Sequence, residues 1–267
     1  MWRELTITSK INKSNNPIGF FDSGVGGLTI LSAFREILPN EDCIFFGDTK
    51  NMPYGEKTKE QLIEYSTTAF KFFENQNVKA VVMACNTTSA MVYEELKDKF
   101  NFKLYPLIQT VTKTISSMQI KKIGVFATPA TVNSHTYKNN LSGIDVKEIA
   151  CPMWVKFVED NQQNTPEADI EIKKHMQEML SFNPDKIILG CTHYPYLINQ
   201  LSKYANKEIF INPSKIYANA IFEDLKQNNM LNPKSTKGYD KFFVSKAPEK
   251  FISSGSMFYD VKNCNLI

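Results

Sequence analysis

Lys79-Ala-Val-Val-Met-Ala-Cys85-Asn-Thr-Thr88 joins a lysine, a short apolar run, a thiol and a cluster of small polar residues. The run is too short for a helix and rich in valine, so it reads as a strand buried on both faces and ending at the sulfur. The same arrangement returns in the other half of the chain as Lys186-Ile-Ile-Leu-Gly-Cys191-Thr-His193. Either cysteine alone is better explained as an inert buried side chain. Two matched thiols at two strand ends, each followed by polar residues, point instead to a shared task. Facing one another across a cleft, they can take a proton from one side of a carbon and return one to the other.

Around these two strands the pattern alternates. Ile18-Gly-Phe-Phe21 is a strand that runs through the glycine loop Asp22-Ser-Gly-Val-Gly-Gly27 into a helix marked by Leu28, Leu31, Phe34, Ile37 and Leu38. Cys43 to Thr49 is a second strand, followed by the turn Met52-Pro53-Tyr54-Gly55 and by a helix with a Thr58/Gln61 capping box. After the Cys85 strand come a helix over 89–97 and an extended segment over 102–108. The pattern restarts at Lys121 to Thr128, with a helix over 131–141, a strand near Val146, a turn at Cys151-Pro152, helical stretches on either side of Thr165-Pro166, and the Cys191 strand. Lys207 to Asn212, a helix over 213–230 and Lys241 to Ser245 are read as returning to the first lobe.

Such alternation predicts an α/β protein of two pseudo-symmetric lobes, each a mainly parallel sheet flanked by helices, with the active site between them beyond the carboxyl ends of the strands. The expected division is an N-terminal extension over 1–16, a first lobe over 17–108 and 211–267, and a second lobe over 109–210.

Composition narrows the chemistry. A net charge of +3 over 267 residues is no footprint for nucleic acid, and no stretch approaches the length of a membrane span. Five scattered cysteines without a C-x-x-C, and three histidines with none paired at ligand spacing, fit neither a disulfide framework nor a metal site. A reduced, cytoplasmic protein is expected. Arg3 and Arg35 are the only arginines, so a bidentate guanidinium clamp on a carboxylate is not expected unless one of them reaches the site.

The glycine loop lacks a dinucleotide fingerprint, because Thr29 stands where Gly or Ala is required, and it lacks the Lys-Ser/Thr of a phosphate loop. It still sets a helix N-terminus beside a carboxylate and a hydroxyl, an arrangement that can orient a small zwitterion. Cys85 and Cys191 each open a helix-like turn, where partial positive charge is expected to lower a thiol's pKa. His193, two residues from Cys191, is a candidate to donate or relay a proton. Glu159 by itself reads as the solvated face of an amphipathic helix, and Tyr54-Gly55 as a turn.

Five segments, GFFDSGVGGLTI (19–30), GDTKNMPYG (47–55), ACNTTSA (84–90), VFATPATVNSHTY (125–137) and GCTHYP (190–195), resemble in order and spacing the signature segments of the cofactor-independent glutamate racemases. The resemblance covers nearly everything after residue 16. It implies two α/β lobes enclosing glutamate, Cys85 and Cys191 as the acid/base pair, and no pyridoxal phosphate or metal. It also implies that Asp22 assists Cys85, that His193 and Glu159 assist Cys191, and that Asp22, Ser23, Tyr54, Gly55, Asn86, Thr87, Thr192 and His193 contact the substrate or support the thiols. A homodimer and a role in supplying D-glutamate for peptidoglycan are further implications. Trp154 and Lys156 depart from the family pattern just before Glu159. An aspartate or other amino-acid racemase of the same superfamily is the nearest alternative. A cysteine hydrolase or a non-catalytic regulatory protein would leave the second thiol unexplained.

Overall fold

The computed structural model describes residues 13–267, so residues 1–12 of the expected extension over 1–16 lie outside the described residues, while Ser14 is buried and its carbonyl accepts from Lys79 Nζ at 2.7 Å. Strand β1 (Ile18–Asp22) enters α1 (Leu28–Ile37) through the glycine loop. β2 (Cys43–Gly47) leads through a 3-10 turn at Tyr54–Glu56 into α2 (Lys59–Asn75), β3 (Ala80–Met83) into α3 (Asn86–Leu96), and β4 (Lys103–Pro106) into α4 (Leu107–Ile115). β5 (Lys122–Ala127) is followed by α5 (Pro129–Ser134) and α6 (Thr136–Asn140), and β6 (Asp145–Ala150) by α7 (Trp154–Glu159) and α8 (Pro166–Ser181). β7 (Lys186–Gly190) precedes a 3-10 turn at Tyr194–Leu197 and α9 (Ile198–Leu201). β8 (Phe210–Ile211), α10 (Pro213–Gln227), β9 (Asp240–Val244), α11 (Pro248–Gly255) and β10 (Asn265–Leu266) complete the chain.

All the strand pairings are parallel and fall into two sheets, ordered β10-β9-β2-β1-β3-β4 and β6-β5-β7-β8. Within each, the first strand lies between the second and third, with the fourth beyond the third. The two thiols therefore follow equivalent strands, β3 and β7. The point where the winding reverses, beside β1 in one sheet and β5 in the other, is where a crevice opens in such folds.

β1, β2 and β3 are buried along their whole length, as strands covered on both faces must be. Phe20 and Phe45 pack on one side, against Phe34 and Phe251, while Phe21 and Phe46 pack on the other, against Phe70, Phe72 and Phe73. Each fully buried ring contributes about 1.5–3 kcal/mol. The Thr58/Gln61 capping box at the start of α2 is present with both of its hydrogen bonds.

Several local expectations are corrected. Lys207 to Asn212 does not return to the first sheet, because β8 pairs with β7; the return is made by α10, which packs on α1 and α4, and by β9. The extended reading of 102–108 holds only to Pro106. That proline caps α4, since its fixed φ suits the position before a helix. The single helix expected over 131–141 is two short ones, broken where His135 adopts a left-handed conformation at φ 52°. The helix after Cys85 begins at Asn86, not Ser89.

Candidate active site

Asp22, the last residue of β1, is buried, and its Oδ2 accepts hydrogen bonds of 3.0 Å from both the Gly24 and Gly27 N–H groups. Glycine is needed at 27 because a Cβ there would lie 2.6 Å from the Cβ of Asp22. The carboxylate thus ties the loop into a fixed turn. Burial holds the pKa of Asp22 above the ordinary carboxylate value, against the opposing pull of His193 and the two N–H bonds. Ser23 follows, with its Oγ 3.8 Å from Cys85 Sγ.

Cys85 caps α3 and is 6% exposed. Its position at a helix N-terminus was expected to lower its pKa, and hydrogen bonds with Thr88 do act in that direction. Burial, reinforced by the charge of Asp22, outweighs them and pushes the thiol up to about 11. Partial helix charge does not compensate for desolvation here.

On the second sheet the arrangement differs. Cys191 Sγ lies 3.8 Å from His193 Nδ1, and His193 Nε2 lies 3.0 Å from Glu159 Oε1 on α7. Burial alone would lower the histidine pKa. The bonds to Cys191 and Glu159 prevail and raise it to about 10, so the ring is an imidazolium at neutral pH. One thiol thus sits over a buried carboxylate and the other beside a cation.

Both sulfurs line one narrow chamber of about 40 Å³, together with Ser23, Met52, Pro53, Tyr54, Gly55, Asn86, Thr87, Thr128, Val155, Glu159, Thr192 and His193. Ligand pockets ordinarily span about 300–1,000 Å³, so the chamber as it stands is too small for an amino acid. The two halves of its wall interlock. A Cβ on Gly26 would lie 2.3 Å from Thr192 Oγ1 and 2.5 Å from His193 Cε1, and a Cβ on Gly55 would lie 3.0 Å from that of Thr128. Thr29, which spoils the dinucleotide pattern, donates from its Oγ1 to the Thr192 carbonyl at 2.9 Å. The Thr87 and Thr128 hydroxyls meet at 3.0 Å, and the Tyr137 hydroxyl donates to Asn86 Oδ1 at 2.7 Å.

Every expected site residue except Asp22 lies on the chamber wall, and Asp22 lies beneath it, holding the loop. Tyr54 turns its hydroxyl away into Asp48, donating to Oδ2 at 2.6 Å. Glu159 touches His193 although Trp154 and Lys156 depart from the family pattern. Trp154 is buried against Phe126 and Tyr194, and Lys156 is exposed. Arg35 is bound to Asp240 and to main-chain carbonyls at the other end of the first sheet. Sequence reasoning missed Met52, Pro53, Thr128 and Val155. Thr128 had a usable signal, since it follows β5 as Ser23 follows β1. Among the described residues, no group of three or more His, Cys, Asp or Glu side chains is arranged to hold a metal ion, and no helix is long and apolar enough to cross a membrane.

Two parallel sheets meeting at a chamber with a thiol from each define the class, and comparison with known proteins agrees. The chain belongs to the Asp/Glu/hydantoin racemase family, whose model matches residues 29–221. It is 36% identical to the glutamate racemase of Thermoanaerobacter sp. (strain X514) over 257 residues, 94% of this chain and 96% of that one. Among solved structures it resembles the glutamate racemase of Francisella tularensis in complex with D-glutamate, with a TM-score of 0.88 at 32% identity over 95% of this chain and 98% of that one. It also resembles the Thermus thermophilus glutamate racemase in complex with β-chloro-D-alanine, with a TM-score of 0.85 at 29% identity, covering 96% and 98% of the two chains. The resemblance read from the five segments is borne out.

Proposed function

We propose that this protein is a cofactor-independent glutamate racemase that interconverts L- and D-glutamate through Cys85 and Cys191. The observation that carries this reading is that thiols from equivalent strands of the two sheets line the same narrow chamber with unlike neighbours. An α-hydrogen is a weak acid, and its removal requires exclusion of water and stabilisation of the developing charge. Inversion also requires one sulfur to be a thiolate while the other is a thiol. The imidazolium of His193, held by Glu159, lies beside Cys191, while Asp22 and burial favour the protonated form of Cys85. A two-base reaction needs an acid on one side of the α-carbon and a base on the other, and each turnover exchanges the two roles.

Substrate carboxylates are held by hydroxyls, the Asn86 amide and main-chain N–H groups, with Ser23, Thr87, Thr192 and the Tyr54-Gly55 turn as the contributing positions. Admission of an amino acid to a 40 Å³ chamber requires the lobes, 17–108 with 211–267 and 109–210, to part first. Strand membership supports that division except at Ile211, which lies in β8 of the second sheet. A cytoplasmic homodimer supplying D-glutamate for peptidoglycan completes the reading. The deciding test is polarimetry of purified protein with L-glutamate and no added cofactor. Optical rotation should decay to zero, and in deuterated water the product should carry deuterium at the α-carbon. Activity towards aspartate but not glutamate would reassign the substrate.

A further inference from the structure

Tyr137 does not line the chamber, yet it is fully buried beside it. It stands on α6, which starts afresh after the left-handed His135, and the Thr136 hydroxyl fastens this turn to the Ala90 carbonyl of α3 at 3.3 Å. The ring then crosses the end of β7, where the residue before Cys191 is glycine: a Cβ on Gly190 would lie 3.1 Å from Tyr137 Cε2. Its hydroxyl reaches Asn86 Oδ1 on the opposite lobe at 2.7 Å.

A side-chain amide offers an acceptor at one end and donors at the other, and the buried Tyr137 hydroxyl, whose proton has Asn86 Oδ1 as its acceptor, favours the orientation that presents the oxygen. The pKa of Tyr137 is raised by burial and by the nearby Cys191, so the phenol keeps its proton and has it to donate. With Oδ1 taken, the buried Asn86 Nδ2 is left without a protein partner. Leaving a buried donor unsatisfied is costly, a cost that a ligand acceptor relieves.

We infer that Tyr137 is a positioning residue, which orients the Asn86 amide so that Nδ2 donates to a carboxylate of the bound amino acid. This rests on the racemase reading above. The orientation matters because a reversed amide would set an oxygen against an anionic oxygen.

The test is a double-substitution cycle on the full-length protein, with kcat and KM measured for both glutamate enantiomers and melting followed alongside. Tyr137→Phe should lower kcat/KM about 10-fold, mainly through KM, as for one lost hydrogen bond at an orienting contact. In an Asn86→Ala background the same change should alter kcat/KM by less than about 2-fold, since there is no longer an amide to orient. Asn86→Asp keeps an acceptor for Tyr137 but turns a carboxylate towards the substrate, and should raise KM more than Asn86→Ala does. Should Tyr137→Phe fail to fold, the Asn86 pair decides alone. Equal losses in both backgrounds, an unaffected Tyr137→Phe, or an Asn86→Asp variant that binds as well as wild type overturns the inference while leaving the racemase reading intact. A wild-type protein inert towards glutamate overturns both.

Discussion

His193 Nε2 lies 3.0 Å from Glu159 Oε1, and the other nitrogen of the same ring lies 3.8 Å from Cys191 Sγ, so a carboxylate, an imidazole and a thiol form one line into the chamber. No such line serves Cys85, whose neighbours are the Ser23 hydroxyl and the buried charge of Asp22. The two thiols occupy equivalent strand ends but have unlike neighbours, and several outcomes follow from that inequality.

Replacing either thiol with alanine should leave the fold intact, since each removes one small buried atom group, and should reduce racemisation by at least about 10²–10⁴-fold, the usual contribution of a positioned acid or base. Chiral chromatography of reaction mixtures measures this directly. Near wild-type turnover in Cys85→Ala or in Cys191→Ala would refute the two-thiol scheme.

His193→Gln should change how stability varies with pH. The folded-state pKa of His193 is raised from 6.5 to about 10, so its contribution is complete below pH 6.5 and is lost as pH rises through 10. The wild type should therefore lose more melting temperature between pH 6.5 and 10 than the variant does. Parallel pH profiles of the two proteins would contradict the assigned imidazolium.

Asp22→Asn can keep both loop hydrogen bonds through its amide oxygen while removing the charge beneath Cys85. Because burial raises the Asp22 pKa above 3.8, its stabilising contribution is present below that pH and falls as pH rises through the folded value. Relative to wild type, the variant should gain melting temperature between pH 4 and pH 7, while kcat falls about 10²-fold or more because the acid/base balance of Cys85 is disturbed. Calorimetry at the two pH values, with an activity assay, separates the effects.

Gly26→Ala puts a methyl carbon where Thr192 Oγ1 and His193 already stand, at 2.3 and 2.5 Å. One loop must retreat, at a cost of about 1–3 kcal/mol. The expected outcome is a destabilised protein whose kcat falls further than its melting temperature suggests, because the displaced residues adjoin Cys191. A variant with unchanged kcat would show that this closed contact is not used in turnover.

The main architecture was legible because buried parallel strands are written as short apolar runs, and the residue after such a run faces the crevice. Cys85 and Cys191 were found that way; Ser23, which the resemblance pointed to, and Thr128 each follow a strand end directly. Glu159 was not legible from periodicity, since its partner His193 is brought to it only by the packing of α7 against the 3-10 turn at Tyr194–Leu197; the family resemblance alone pointed to it. The Cys85 pKa was misjudged because sequence displays a helix start but not the depth at which the thiol is buried. β8 was misassigned because a two-residue strand carries too little pattern to name its neighbour.

The repeated strand order has a kinetic corollary. The two optical antipodes of an amino acid have equal free energy in solution, so the specificity constants for the forward and reverse conversions must be identical in the wild type and in every variant. Damage to one half of the duplicated scaffold therefore cannot favour one hand in kcat/KM: a lesion at the end of β3 must lower that ratio by the same factor in both directions, and so must a lesion at the end of β7, however kcat and KM divide the change.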